Sequence, residues 1–69
     1  MEEFALKNSE FIELSDLLKV LGLCETGGMA KMVIAEGLVR VNGSVELRKR
    51  RKLRSADRVE YKGREIVVA

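Results

Sequence analysis

The residues of this chain that could do chemistry are cations rather than catalytic groups. Residues 48–52 are five consecutive Lys or Arg residues, Arg54 and Arg58 follow, and Asp57 is the one acid among them. Such a run repels itself until phosphates replace its condensed counterions, whose release makes binding favourable and salt-dependent. The run therefore predicts contact with nucleic-acid phosphates. A charge-protected edge strand, a localisation signal and an anionic-membrane patch are the alternatives.

Groups that support catalysis are missing from the sequence. There is no histidine, and Cys24 is the single cysteine, so neither an intrachain disulfide nor a zinc site with the usual ligands is expected. No nucleophile is paired with a base, and no Walker-type glycine loop occurs. We predict that the protein is not an enzyme and holds no cofactor or metal, with Cys24 acting as a small apolar residue.

Charge is divided unevenly along the chain. Residues 1–39 hold three Lys against seven acids, a net charge of −4, whereas residues 40–69 hold ten Lys or Arg against four acids, a net charge of +6. The positive charge of the C-terminal half therefore predicts an anionic partner. If residues 48–52 continue a strand, Arg48, Arg50 and Lys52 share one face, and Lys49 and Arg51 the other. No stretch approaches the roughly 20 apolar residues that span a bilayer, and we expect a cytoplasmic protein.

A pair of glycines, Gly27 and Gly28, stands where the second of two predicted helices begins. Glycine costs up to about 1 kcal/mol relative to alanine inside a helix. The bare amides of a helix N-terminus can approach a phosphate closely, and the helix dipole favours negative charge there. Lys31 lies one turn further on the same face. The pair is a second candidate phosphate contact, unless the glycines simply belong to the loop.

The elements that must position these residues are predicted by hydrophobic spacing. One helical stripe begins at Leu14 and ends before Gly22, and a second begins after a Thr26 cap and ends at Glu36-Gly37. The apolar positions of the two stripes are Leu14, Leu17, Leu18 and Leu21, then Met29, Ala30, Val33 and Ile34. Neither short helix can bury its stripe alone, so both must share a core with the C-terminal part of the chain.

Strands are predicted after the helices. Residues 38–41 and 44–47 flank Asn42-Gly43, which tolerates the positive φ angles of a type I′ hairpin turn. Residues 59–61 and 65–68 flank Lys62-Gly63 in the same way, and residues 55–57 are predicted to form a turn, as is Asn8-Ser9 after a short strand at residues 3–6. We predict one α+β domain over residues 1–69, with two short helices packed on a small, mostly antiparallel β-sheet.

A known family shows the same pattern of residues. In this chain Thr26 is followed after four residues by Ala30, after four more by Ile34, and then by Gly37 and Val39-Arg40-Val41-Asn42-Gly43. This segment resembles the RNA-binding domain named after ribosomal small-subunit protein S-four, the alpha-L motif. Residues 14–22 resemble the family's first helix, and residues 55–59 its Pro-Gly-Asp-x-Val turn. The likeness covers most of residues 12–61 and is greatest to small free-standing members.

The resemblance implies RNA binding without catalysis, because the catalytic domains attached to larger members are absent. The few, scattered aromatic residues point to structured RNA, such as ribosomal or transfer RNA, recognised by shape. Many members have an arginine where this chain has Gly27. We expect a monomer, and a ribosome-associated protein-interaction adaptor is the alternative function. The predicted RNA-binding residues form one surface: Gly27, Gly28, Lys31, Arg40, Arg48, Lys49, Arg50, Arg51 and Lys52.

Overall fold

Two short helices form where the apolar stripes predict them. The computed structural model describes residues 1–69, with α1 at Leu14–Val20 and α2 at Gly27–Ala35. The Thr26 Oγ1 accepts a hydrogen bond from the Met29 amide at 3.1 Å, so the predicted N-cap is confirmed. Gly22 and Gly37 end the helices in the left-handed region, at φ 74° and 79°. Neither helix has the length and apolar character needed to cross a membrane.

Seven short strands form two sheets. They are β1 (Glu2–Phe4), β2 (Ile12–Glu13), β3 (Val39–Val41), β4 (Ser44–Val45), β5 (Lys52–Leu53), β6 (Arg58–Tyr61) and β7 (Arg64–Val68). The main sheet has the order β1-β7-β6-β3-β4, and only its β1–β7 pair is parallel. Strands β2 and β5 form a separate antiparallel pair. The predicted α+β architecture with a mostly antiparallel sheet is confirmed, although the first strand begins and ends earlier than expected.

Both predicted hairpin turns are present. Asn42 and Gly43 have φ values of 52° and 85°, and Lys62 and Gly63 have 51° and 76°, so each turn has the two positive angles of type I′. The Asn42 side chain also joins this turn to the start of β6: its Nδ2 donates to Asp57 Oδ1 at 3.0 Å, and its Oδ1 accepts from the Arg58 amide at 2.9 Å. The motif asparagine therefore has a structural role.

The core lies between the helices and one face of the main sheet. Alternate residues of β3 and β6 point inward, because successive side chains of a strand face opposite sides. These residues are Val39, Val41, Val59 and Tyr61, and they join Leu14, Leu17, Leu18, Ala30 and Ile34 in one buried cluster. Cys24 is buried with them at 1% exposure, which agrees with its interpretation as a small apolar residue.

The first hairpin does not continue into a basic strand over residues 48–52, and its second strand ends earlier than the predicted residue 47. Strand β4 ends at Val45, and the chain then makes a turn at residues 49–50, closed by the Arg51 amide donating to the Arg48 carbonyl at 3.2 Å. Lys52 belongs to β5, which pairs with β2 instead of extending β4. The predicted division of residues 48–52 between two faces of one strand therefore does not occur. The physical reason is the buried carboxylate of Glu46, described below.

Candidate functional site

The consecutive cations at residues 48–52 line one groove. We define the basic loop as residues 46–51, between β4 and β5. A groove of about 770 Å³ opens on this loop, and six of its seven lining residues are cations. The lining residues are Leu47, Arg48, Lys49, Arg50, Arg51, Lys52 and Arg54. All five consecutive cations of the predicted site are thus brought together, by a turn rather than by a strand.

A buried acid stands at the base of the loop. Glu46 is only 7% exposed. Its carboxylate accepts hydrogen bonds from the Arg48 amide at 3.0 Å, from Arg48 Nε at 2.9 Å and Nη2 at 3.0 Å, and from Arg51 Nη1 at 2.7 Å. The Arg48 side chain is the largest cause that lowers the pKa of Glu46 to about 2, against the opposing effect of burial. Glu46 is not among the residues predicted from the sequence, where its only signal is an acid just before a run of cations.

The backbone of the basic loop is also bound to α1. The Leu14 amide donates to the Arg51 carbonyl at 2.9 Å, and the Ser15 amide donates to the Lys49 carbonyl at 3.1 Å. These are the first two amides of α1, which lack an acceptor within their own helix, and the Glu13 side chain does not cap them. The loop therefore serves as the cap of α1, and its shape is tied to the helical core.

The cations of the groove differ in the group that each one contacts: a carboxylate, an aromatic ring, or no group of opposite charge. Arg48 and Arg51 are paired with Glu46, and this carboxylate raises the pKa of Arg48. Lys49 and Arg50 are exposed and form no ion pair. Lys52 Nζ lies 5.0 Å and Arg54 Cζ 5.6 Å from the centre of the Phe11 ring, within cation–π range.

The glycine pair occupies the first two positions of α2, as predicted. Neither the Gly27 nor the Gly28 amide has an acceptor within the protein. A Cβ added at Gly27 would meet nothing within 4 Å, and one at Gly28 would lie 3.8 Å from Thr26 Oγ1. Packing therefore does not require glycine at either position. Lys31 is exposed further along α2, and none of these three residues lines the groove of the basic loop.

Arg40 lies apart from the groove as well. It stands on the exposed side of β3, in register with Glu60 on one neighbouring strand and Val45 on the other. Its Nη1 donates to the Gly43 carbonyl at 3.3 Å, and it lines a separate depression of about 230 Å³ that also contains Glu60 and Glu65. The structure thus gathers residues 48–52 in one groove, and it does not bring Gly27, Gly28, Lys31 or Arg40 into that groove.

Two cations of the second hairpin, formed by β6 and β7, are paired with acids. Arg58 Nη1 lies 3.4 Å from Glu65 Oε1. Arg64 makes two hydrogen bonds to the Glu2 carboxylate of β1, at 2.7 and 2.8 Å. The excess positive charge of residues 40–69 is therefore concentrated at the basic loop and at Lys52 and Arg54 beside it.

Known proteins share both the sequence and the fold of this chain. Residues 4–69 match the family model described as S4 domain. The YbcJ protein of Escherichia coli (strain K12) is 44% identical over 68 residues, which cover 99% of this chain and 97% of YbcJ. A Bacillus subtilis (strain 168) protein named "Probable ribosome maturation protein RlbA" is 39% identical over 56 residues, 81% of this chain and 79% of that protein.

The fold comparison gives the same result. The solution structure of Escherichia coli YbcJ, described as revealing an alpha-L motif involved in RNA binding, superposes on this chain with a TM-score of 0.75 at 43% identity. The match covers 100% of this chain and 87% of the YbcJ chain. The two helices and the mostly antiparallel sheet described above are therefore those of the alpha-L motif.

Proposed function

Because this chain belongs to the S4 domain family, we propose that it binds structured RNA through the phosphates of the RNA backbone. The groove of the basic loop carries this proposal. Six cations line it, and Glu46 is the one acid that forms an ion pair with any of them, so phosphates can replace the counterions that the remaining cations condense. The solved relative described as having an RNA-binding motif shares the whole fold.

The aromatic residues favour a structured target over an unpaired strand. Single-stranded RNA is usually held by exposed aromatic rings on which bases stack. Here Tyr61 is buried in the core, and Lys52 and Arg54 cover the Phe11 ring. The surface supplies charge without a stacking platform. Recognition of backbone shape, as in paired RNA, fits this surface best.

The second candidate contact lies at the start of α2. The free amides of Gly27 and Gly28 and the nearby Lys31 would bind a phosphate of another segment of the same RNA, and so would Arg40 on the sheet. Alanine would fit at Gly27 without a clash, so packing within the protein does not explain why glycine stands there. Close approach of the RNA backbone would explain it. These four residues stay predictions, separate from the groove.

The protein would act by binding alone. The groove contains cations and one leucine, a composition that can hold phosphates but lacks the paired nucleophile and base of a hydrolytic site. Among structured RNAs we favour ribosomal RNA, because the Bacillus subtilis relative is named for ribosome maturation. Transfer RNA is the alternative. A cytoplasmic location and a monomeric state complete the proposal.

The test compares two RNAs of equal length, one a hairpin and one unpaired, over a range of salt concentrations. We expect tighter binding to the hairpin and a log-log salt slope of about −0.7 to −0.9 for each phosphate contacted. Replacing Arg48, Arg50 and Lys52 together with alanine should flatten this slope. Failure of the wild-type protein to bind either RNA, or an unchanged slope in the triple variant, would contradict the proposal.

A further inference from the structure

We infer that Glu46 is a positioning residue for the groove: its carboxylate holds Arg48 and Arg51 so that the turn between them presents Lys49 and Arg50 to the RNA backbone. This inference rests on the proposed function and goes beyond it. It divides the basic run into two structural arginines and two contacting cations, and it assigns an acid to the organisation of an anion-binding site.

The geometry of the turn is the first support. Glu46 contacts residues at both ends of the turn, with three hydrogen bonds to Arg48 and one to Arg51. The Arg51 amide closes the same turn through the Arg48 carbonyl. Lys49 and Arg50 occupy the tip between these fixed ends, where their side chains are exposed.

The hydrogen-bond donors of the four loop cations give a second support. A guanidinium has five N–H donors in a fixed fork. Arg48 directs Nε and Nη2 at the Glu46 carboxylate, and Arg51 directs Nη1 at it. Lys49 and Arg50 keep all of their donors for a ligand. Paired charges at residues 48 and 51 release few counterions on binding, so within the basic loop the salt dependence should come mainly from Lys49 and Arg50.

The loop backbone gives a third support. The Lys49 and Arg51 carbonyls are held by the first amides of α1, so the turn is anchored to the helix as well as to Glu46. A loop ordered before binding loses less conformational entropy when the ligand arrives. Glu46 therefore increases RNA affinity by holding the turn in one conformation, although its charge alone opposes an anion.

That opposition makes the inference testable, because the two effects of Glu46 have opposite signs. Simple electrostatics predicts that Glu46→Gln, which removes one negative charge beside the groove, binds RNA more tightly. Positioning predicts the reverse. Glu13→Gln is the matched control: Glu13 is in register with Lys52, next to the same groove, but its side chain makes no hydrogen bond. It undergoes the same change of charge without loss of a contact.

The experiment measures hairpin RNA affinity for the wild type and for the Glu46→Gln, Glu46→Asp and Glu13→Gln variants, each first checked for folding by circular dichroism. We expect Glu46→Gln to bind the hairpin about tenfold more weakly. Without the Glu46 contacts, roughly one backbone residue of the turn must lose its conformational freedom on binding, and this entropy cost accounts for the factor. Glu46→Asp keeps the charge but is too short to span both arginines, so it should also bind more weakly. Glu13→Gln should bind at least as tightly as the wild type.

Each result has one meaning. If the wild type does not bind the hairpin, the proposed function fails, whatever the variants do. If the wild type binds and a folded Glu46→Gln matches Glu13→Gln, the positioning role is overturned. If both Glu46 variants are unfolded, Glu46 serves the fold alone and the inference is likewise overturned. Weak binding by a folded Glu46→Gln, with Glu13→Gln unaffected, supports it. Where Glu46→Gln alone is unfolded, the folded Glu46→Asp decides in the same way: weak binding supports the inference, and binding like the wild type overturns it.

Discussion

The basic loop and the second hairpin both carry several cations, yet they differ in how those cations are compensated. In the hairpin and its neighbour β1, Arg58 and Arg64 each face a separate carboxylate. In the basic loop, the carboxylate of Glu46 pairs with Arg48 and Arg51, and Lys49 and Arg50 pair with no acid. The hairpin is therefore close to neutral and the loop is not. Counting charges along the sequence does not reveal this difference, because it depends on which acids fold against which cations.

The acids of the two regions also differ in burial. Glu46 has a side chain that is 9% exposed and makes four hydrogen bonds, whereas the Glu65 side chain is 37% exposed and makes one, at 3.4 Å. A buried acid with several donors stabilises a fold, while an exposed ion pair typically contributes about 0–1 kcal/mol. The same residue type thus organises one region and only balances charge in the other. Substitutions in both regions test this contrast.

The largest expected effect is on the free energy of unfolding of Glu46→Gln. Hydrogen bonds from Arg48, and then from Arg51, lower the pKa of Glu46 from the usual 4.5 to about 2, and losing these charged hydrogen bonds should cost roughly 1–3 kcal/mol. Because the pKa is lowered, this stabilisation is complete above about pH 4.5 and is lost as the pH falls toward 2. Urea unfolding at pH 7 should therefore show a loss of roughly 1–3 kcal/mol, and the gap from the wild type should narrow at about pH 3.

Glu65→Gln is the control for that experiment and should change stability by less than about 1 kcal/mol. If Glu46→Gln and Glu65→Gln lose equal amounts of unfolding free energy, Glu46 does not stabilise the fold more than the exposed Glu65 does.

The next effect concerns RNA affinity. Lys49→Ala with Arg50→Ala removes two uncompensated cations and should reduce the magnitude of the salt slope by about 1.4 to 1.8, with roughly 30-fold weaker binding at about 0.1 M salt. Arg58→Ala with Arg64→Ala removes the same charge from the second hairpin, where both cations are paired, and should change the slope little. Filter binding of one hairpin RNA at several salt concentrations measures both. Similar slopes in the two double variants would refute the contrast.

A smaller effect is expected at Phe11, whose ring lies beneath Lys52 and Arg54. Phe11→Leu removes a cation–π interaction of about 0.5–1 kcal/mol that positions these two cations, so RNA affinity should fall by no more than about two- to fivefold. The number of charges is unchanged, and the salt slope should be too. Phe11→Tyr keeps a ring and should bind like the wild type. A changed slope in Phe11→Leu would mean that the ring does more than hold the two cations.

The smallest effect is expected at Ala56, in the turn that precedes the second hairpin. Ala56 has a φ of 79°, a left-handed conformation that costs a residue with a Cβ about 1–2 kcal/mol. Glycine avoids this cost but loses more backbone entropy on folding, so Ala56→Gly should stabilise the protein by about 0.5 kcal/mol in thermal unfolding. RNA affinity should not change, because the turn lies outside the groove. Destabilisation of Ala56→Gly would show that the Ala56 methyl group makes stabilising contacts.

Local signals in the sequence predicted much of the fold. The helical stripes, the Thr26 cap and both turns at Asn42-Gly43 and Lys62-Gly63 are properties of a few adjacent residues, and each is confirmed. The family motif consists largely of these structural positions, so it indicates the scaffold better than the ligand contacts.

The candidate site was less predictable because it depends on distant partners. Glu46 is a charged residue outside any apolar pattern, and its burial arises only once Arg48 and Arg51 turn back upon it. The pairing of β5 with β2, across a long stretch of the chain, likewise has no local signal. These two features convert the predicted basic strand into a turn. They also separate Arg40 from the residues with which it was grouped.

The parallel pairing of β1 with β7 has a consequence for the order of folding. It joins residues 2–4 to residues 66–68, and the Glu2–Arg64 ion pair beside it spans 62 positions of sequence. Closing so long a loop costs more entropy than forming either hairpin, so the hairpins should assemble first and β1 should dock late. Substitutions in β1 would then accelerate unfolding while leaving the folding rate almost unchanged.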